Sequence, residues 1–134
     1  MRILSLDYGR KKAGLAISDE EERLAVTKGR LLGLTQNKLI EKIKAIVNLE
    51  HIGKVLVGIP FSMVGNPTEM TEEVKLFVEK LRHHLSVPVQ TMDERFTTKV
   101  AQELLKDDKR KKEKEDSVAA QVLLQNYLDQ LHAG

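Results

Sequence analysis

Short apolar runs and helix-like periodicity follow one another along the chain in a definite order. The first third of the chain holds three apolar runs of strand length, and no helical pattern separates them. The remainder of the chain alternates strand-like runs with amphipathic stretches. Consecutive strands without an intervening helix pair antiparallel, whereas strands separated by helices lie parallel through right-handed crossovers. The pattern therefore predicts an α/β fold, in which a five-stranded mixed sheet of three antiparallel and then two parallel strands carries helices on both faces.

The predicted elements follow the order β-β-β-α-β-α-β-α-α. Gly9 provides a turn between the first two strands, and Gly29 lies inside the third strand, where a glycine often marks a bulge. Pro88 near the start of the fifth strand favours an edge position in the sheet. The elements are expected at residues 3–6, 13–17, 23–34, 35–51 and 54–59, from Thr68, at residues 87–92, from Thr97 or Thr98, and from near Asp116.

The first strand ends in a carboxylate, Asp7, directly after an apolar run. Desolvating a charge at such a position is costly unless a cation lies beside it, and a divalent metal would be one such partner. A plainer interpretation is turn chemistry, because an Asp followed two residues later by Gly commonly hydrogen-bonds nearby backbone amides. Asp7 alone does not distinguish these interpretations, so the other carboxylates have to decide.

Two further places offer carboxylates that belong near Asp7. Asp93 and Glu94 end the last predicted strand, at the end of the sheet where α/β proteins gather their ligands. Asp116 shares a helix face with small and apolar residues, although it would equally serve as the N-cap of that helix. Carboxylates that converge without a lysine or arginine between them repel one another. The set therefore predicts a site for Mg²⁺ or Mn²⁺, which prefer oxygen ligands and promote phosphodiester hydrolysis.

Composition narrows the partners further. The net charge of +2 is small beside 31% charged residues, so nucleic-acid binding would depend on local clusters such as Arg10-Lys11-Lys12. An aromatic content of 4% argues against a base-stacking surface. The 134 residues contain no repeat or linker, which predicts one domain over residues 1–134. No cysteine and no stretch of membrane-spanning length are present, so we expect a soluble, cytoplasmic protein without a membrane partner.

Four separated motifs carry a resemblance. They are Asp7 to Asp19 (DYGRKKAGLAISD), Val57 to Pro60 (VGIP), Asp93 to Thr98 (DERFTT), and Asp116 onward (DSVAA) with Tyr127-Leu128-Asp129. In this order and at this spacing they resemble the YqgF/RuvX family, which is similar in fold to ribonuclease H and to the Holliday-junction resolvase RuvC. The chain departs from the family pattern at Ala13, Phe61 and Val64, which affects packing and a loop and leaves the fine substrate assignment open.

The resemblance implies a metal-dependent nuclease. It implies metal-binding roles for Asp7, Glu94 and Asp116, with Asp93 as the substitute if Glu94 points away. It also implies two substrates: the 5′ end of the precursor of 16S ribosomal RNA, processed during ribosome biogenesis, and four-way DNA junctions. The RNA is the favoured substrate, which makes a ribosomal particle an expected partner. The sequence does not indicate an oligomeric state.

The resulting hypothesis is hydrolysis of a phosphodiester held against one or two Mg²⁺ ions, or Mn²⁺, by three carboxylates. Nearby cations would neutralise flanking phosphates without reading bases, although each of them would also be ordinary on a protein surface. Gly58-Ile59-Pro60 and the loop through Gly65 are expected to form one wall of the cleft. The cations are Arg10, Lys11, Lys12 and Arg95.

Two other classes of protein fit parts of the pattern. A non-catalytic module for nucleic-acid binding or ribosome assembly would keep the fold and its basic residues but would not need the carboxylates. A phosphotransferase of the actin/hexokinase type would share the sheet and the Asp-x-Gly of the first hairpin. A chain of 134 residues is too short for the two lobes that clamp a nucleotide, so this class ranks last.

Overall fold

The protein is seen in a computed structural model, which describes residues 1–94 and 111–133 and, over residues 111–116, the backbone alone. Within these ranges, no helix is both long enough and apolar enough to cross a membrane. The elements found there are β1 Arg2–Tyr8, β2 Lys12–Ser18, β3 Ala25–Leu32, α1 Gln36–Leu49, β4 Ile52–Ile59, α2 Glu69–His84, β5 Val89–Asp93 and α3 Lys111–Leu131.

The five strands form one sheet in the order β3-β2-β1-β4-β5. β1 pairs antiparallel with β2, and β2 pairs antiparallel with β3. β1 also pairs with β4, and β4 with β5, both in parallel. The predicted fold, three antiparallel strands followed by two parallel ones, is therefore confirmed, and so is the edge position of β5. The carboxyl ends of β1, β4 and β5 lie side by side, because these three strands run in the same direction.

Helices cover both faces of the sheet. Side chains alternate between the faces along each strand, so Leu4 and Leu6 of β1 pack on the side of α1 and α2, while Ile3 packs on the side of α3. The larger core lies under α1 and α2 and includes Phe77, which stacks on Tyr8 with a centroid distance of 4.1 Å. The smaller core lies under α3. The two cores hold the end of β1 rigidly between them.

Threonine side chains cap the starts of α1 and α2. The hydroxyl of Thr35 accepts the backbone N–H of Lys38 in the first turn of α1. Thr68 caps α2 at the predicted start of this helix, since its hydroxyl accepts the N–H of Thr71 while the Thr71 hydroxyl accepts the N–H of Thr68. The Thr71 hydroxyl also donates to the carbonyl of Pro60. This bond ties the start of α2 to the residue that ends β4.

Several predicted boundaries differ from the observed ones by two residues or more, among them the starts of β3, β4, β5 and α3. β3 begins at Ala25 rather than at residue 23, because the carboxylate of Asp19 accepts the N–H of Arg23 at 2.8 Å and holds a turn there. α3 is already helical at Lys111, so the interpretation of Asp116 as its N-cap is wrong. The residues of α3 before Asp116 are Lys and Glu, which are good helix formers. The helix predicted from Thr97 or Thr98 lies outside the described residues.

Candidate active site

Asp7 lies near the end of β1, on the face of the sheet that α3 covers. Because side chains alternate along a strand, Asp7 shares its face with Ser5, whose hydroxyl donates to the carbonyl of Ala120 in α3 at 2.8 Å. Leu6 points to the opposite face and is fully buried there. Asp7 is half-buried. Its carboxyl is therefore positioned by a well-packed strand at the boundary between the core and solvent.

Glu94 follows β5 directly and meets Asp7 across β4. Its backbone N–H donates to the carbonyl of Ile59 at 3.1 Å, which extends the pairing of β4 with β5 by one step. Its carboxyl hydrogen-bonds to Asp7. Beneath it lies Gly58, where an added methyl group would stand 3.0 Å from the carboxyl carbon of Glu94 and closer still to one of its oxygens. The glycine therefore leaves the space in which the two acids meet.

The role of Gly58 as a spacer is the feature of the site that is hardest to predict from the sequence. From the sequence, Gly58 is expected only as part of the cleft wall. The available signal is a glycine inside an apolar strand, which often marks the close approach of another group. Leu123 of α3 would lie 3.0 Å from the same added methyl group, so this glycine also lets α3 approach the sheet.

The electrostatics of the pair are those of two acids that share a proton. Burial, the charge of Asp7, the hydrogen bond to Asp7 and the charge of Asp93 together raise the pKa of Glu94 to about 9 from its usual 4.5, with burial the largest cause. Two carboxyl groups hydrogen-bond to each other only when at least one is protonated. A divalent cation in place of that proton would neutralise both groups, and oxygen donors are its preferred ligands. The donor set therefore fits Mg²⁺ or Mn²⁺.

A third acid has to be sought on α3. Among the side chains that the structure describes, no group of three His, Cys, Asp or Glu residues is arranged to hold a metal ion. Asp116 precedes Ala120 by one helical turn, and Ala120 lies over Ser5, two residues before Asp7. Later in α3, the hydroxyl of Tyr127 accepts a hydrogen bond from Lys54 at the start of β4. The backbone of Asp116 is therefore at the end of α3 nearer to Asp7, while its side chain lies outside the described residues.

Asp93, named above as a substitute ligand, faces the other side of β5. There it lines an open cleft between the sheet and α2, together with Leu76 and Arg82. Its neighbour Glu94 occupies the face shared with Asp7, as alternation along a strand requires. The structure therefore brings Asp7 and Glu94 together and directs Asp93 elsewhere.

The predicted cations differ in their surroundings. The Nε atom of Arg10 donates to both carboxylate oxygens of Glu73 in α2, at 2.9 and 3.0 Å. This hydrogen bond and the opposite charge raise the pKa of Arg10 and lower the pKa of Glu73. Lys11 and Lys12 are exposed where the β1–β2 turn enters β2. Arg95 lies outside the described residues.

Residues 60–67 form the loop after β4, the strand that separates the two acids. The N–H of Gly65 donates to the carbonyl of Ser62 at 2.8 Å, and Gly65 adopts a φ of 92°, which glycine tolerates without strain. The bond from Thr71 to Pro60 fastens the start of the loop to α2. This loop therefore has a defined shape beside the acidic pair.

Comparison with known proteins finds a matching family and relatives that are named as nucleases. The profile of a family described as "RuvX: Holliday junction resolvase" matches residues 1–130. A protein of Thermoanaerobacter pseudethanolicus named "Putative pre-16S rRNA nuclease" is 40% identical over 134 residues, which cover 96% of each chain. A protein of the same name from Sulfurihydrogenibium is 38% identical over 135 residues, covering 97% of this chain and 91% of the relative.

Solved structures with little sequence identity share the fold. RuvC of Thermus thermophilus superposes with a TM-score of 0.61 at 13% identity and covers 99% of this chain and 97% of its own. The same enzyme in complex with a Holliday junction gives a TM-score of 0.62 at 14% identity, covering 98% and 96% of the two chains. At such low identity the likeness concerns the fold, and it confirms the predicted ribonuclease H-like architecture.

Proposed function

The chain belongs to the RuvX family, and on this premise we propose that it is a metal-dependent nuclease that processes the precursor of 16S ribosomal RNA. The observation that carries the proposal is the hydrogen-bonded pair of Asp7 and Glu94 at the carboxyl ends of two strands of one sheet. A buried pair of acids destabilises the fold unless a proton or a metal ion neutralises it. Such a pair is expected at a site that binds a cation for chemistry.

Asp7 and Glu94, with Asp116 as the third carboxylate, would hold one or two Mg²⁺ or Mn²⁺ ions. Such ions at this position would activate water and stabilise the leaving oxygen of a phosphodiester. The chain itself contributes the rigid placement of the acids, through the packed ends of β1 and β5, and the space above Gly58. Because the raised pKa of Glu94 keeps a proton on the Asp7–Glu94 pair, a bound cation would take the place of that proton.

Binding of the nucleic-acid strand is assigned to cations around the same end of the sheet. Lys11 and Lys12 are exposed beside β1 and would contact phosphates, which gives affinity without sequence preference. Arg10 and Arg95 complete the proposed set. For Arg10, contact with a phosphate requires that the guanidinium exchange Glu73 for the substrate. A mainly electrostatic contact of this kind suits recognition by the shape of the RNA.

The RNA substrate is proposed from the relatives that share 38% and 40% identity with the chain. The description of the family profile names another substrate, the Holliday junction, and this makes a four-way DNA junction the second candidate. A ribosomal particle that carries the precursor is the proposed partner, since the substrate would be met in that form. A non-catalytic binding module remains the rival from a different class.

The test is a cleavage assay with both substrates. Wild-type protein, Asp7→Asn and Glu94→Gln are offered precursor 16S RNA, free or in assembled particles, and a four-way DNA junction, in Mg²⁺, Mn²⁺ or EDTA. We expect metal-dependent cleavage of the RNA and a loss of at least about 100-fold in each variant, the size expected when a group essential to charge stabilisation is removed. Asp93→Asn is the matched control, because Asp93 faces away from the pair, and it should retain activity within a few fold.

Each alternative result has a definite meaning. Symmetric nicking of the junction alone would make the protein a resolvase. Binding of RNA without cleavage, unchanged in Asp7→Asn, would favour the binding module. Equal loss in Asp93→Asn and Glu94→Gln would show that the acids contribute through overall charge and would contradict the assigned site.

A further inference from the structure

A row of directly paired residues crosses the sheet at the level of the acids. Asp7 of β1 pairs with Gly14 of β2, and Gly14 pairs with Arg30 of β3. Residues paired directly across strands point to the same face of a sheet. Arg30 therefore lies on the face that carries Asp7, two strands away, or about 10 Å at roughly 4.8 Å per strand.

A β-bulge determines that Arg30 lies on this face. Leu15 pairs with Gly29 whereas Ala16 pairs with Thr27, so Lys28 is an extra residue in β3. Gly29 has a φ of 88°, as a bulge built on a glycine requires. Without the extra residue, Arg30 would pair with Ala13, which lies on the face of the sheet that packs against α1 and α2. The bulge thus places Arg30 on the face of the sheet that carries Asp7 rather than on the face that packs against α1 and α2.

On β2, the strand beside Arg30, the residues on this face carry no acid. Gly14 places no side chain between Asp7 and Arg30, and Lys12, two residues before Gly14, lies on the same face of β2. Arg30 is half-buried, which restricts its long side chain before any ligand arrives. A guanidinium binds a phosphate through two parallel hydrogen bonds, and this geometry makes arginine better suited to phosphates than lysine.

We propose that Arg30 binds a phosphate of the substrate strand beside the one that is cleaved, and that the bulge at Gly29 exists to present it there. This inference rests on the proposed function, since it assumes a nucleic-acid strand at the acids. Arg30 is a substrate-binding residue in this proposal and takes no part in the hydrolysis itself. It extends the phosphate-binding surface from the β1–β2 turn onto β3.

The test measures binding rather than cleavage. In the Asp7→Asn protein without divalent metal, fluorescence anisotropy with a labelled precursor 16S RNA fragment gives the affinity at several salt concentrations. We expect Arg30→Ala and Arg30→Gln to weaken binding about 10-fold at low salt and to reduce the slope of log K against log salt by about 0.7, the value for one lost contact with a single strand. Arg30→Lys should restore most of the slope because it keeps the charge.

Lys28→Ala is the matched control. Lys28 lies two residues away in β3 and pairs with Glu50 at 3.0 Å, so its loss should leave both affinity and slope unchanged. With Asp7 intact, Arg30→Gln should raise KM more than it lowers kcat. Folded Arg30→Ala and Arg30→Gln proteins with wild-type affinity and slope would overturn the proposal. If the wild-type protein neither binds nor cleaves RNA, the proposed function fails and this inference fails with it.

Discussion

At the scale of single residues, the Asp7–Glu94 pair should make the metal-free protein sensitive to pH. Glu94 has a pKa of about 9 in the folded chain against 4.5 for an ordinary glutamate, so folding takes up a proton between these values. Its contribution to stability is therefore complete below about pH 4.5 and is lost as the pH rises through 9. In EDTA, we expect Tm to fall by at least about 4 °C between pH 5 and pH 9, the shift that roughly 1 kcal/mol gives a domain of this size.

Glu94→Gln separates this effect from the titration of other groups. The amide is neutral at every pH and keeps nearly the same volume, so the fall in Tm over this range should be smaller than in the wild-type protein. Differential scanning calorimetry of the two proteins, buffered identically, provides the comparison. Parallel curves for wild type and Glu94→Gln would contradict the shared proton.

At the scale of secondary-structure elements, β4 sets the distance between the strands that carry the two acids. Gly58→Ala should displace the carboxyl of Glu94, because the added methyl group would stand 3.0 Å from its carboxyl carbon. Misplacing a catalytic group by about 1 Å costs up to about 100-fold in rate, so we expect kcat to fall by about 10- to 100-fold. The cleavage assay with precursor RNA measures this loss.

Gly53→Ala in the same strand is its control. The methyl group added there would meet Met1, which is 69% exposed at the edge of the fold, so Met1 rather than the acids would have to shift. We therefore expect wild-type kcat and a small change in Tm for this variant. If both alanine variants lose activity equally, the loss comes from strain in β4, and Gly58 is not a spacer for Glu94.

Most of the elements follow from the sequence because each one carries its own local signal. The apolar run after Lys54 predicts a buried strand. Thr68 predicts the start of α2, because a short polar residue before an apolar helical stripe commonly caps the helix with its side chain. The start of α3 does not follow, because helix propensity over charged residues gives no periodic signal. Gly29 indicates a bulge, yet which side chains the bulge redirects depends on the register with β2.

The candidate site could be predicted only in part, for a related reason. The pairing of Asp7 with Glu94 depends on strand order, which topology rules restrict and which the structure confirms. The choice of Glu94 over Asp93 depends on which face each side chain takes at the end of β5, and adjacent acids carry no signal for that. The binding of Arg10 by Glu73 is a contact between distant segments, and no local pattern predicts it.

At the scale of the whole molecule, charge is balanced so closely that local cations must determine the affinity for nucleic acid. A net charge of +2 on 134 residues gives weak long-range attraction. One cation near the site is already bound within the protein, since Arg10 donates to both carboxylate oxygens of Glu73. Removing that acid should therefore alter binding more than a change of one charge elsewhere on the same helix.

Glu73→Gln tests this balance. It removes the carboxylate that contacts Arg10 most closely and leaves Glu69 at 3.7 Å. Arg10 can then turn to a phosphate more readily, so we expect RNA to bind about 3-fold more tightly at low salt, with a slope of log K against log salt that is steeper by about 0.7. Glu79→Gln is the matched control, because it removes the same charge from α2 but releases Arg82, which Glu79 binds at 2.7 Å farther along the helix. Equal gains in the two variants would mean that net charge alone governs binding. A gain confined to Glu73→Gln would place Arg10 on the path of the substrate.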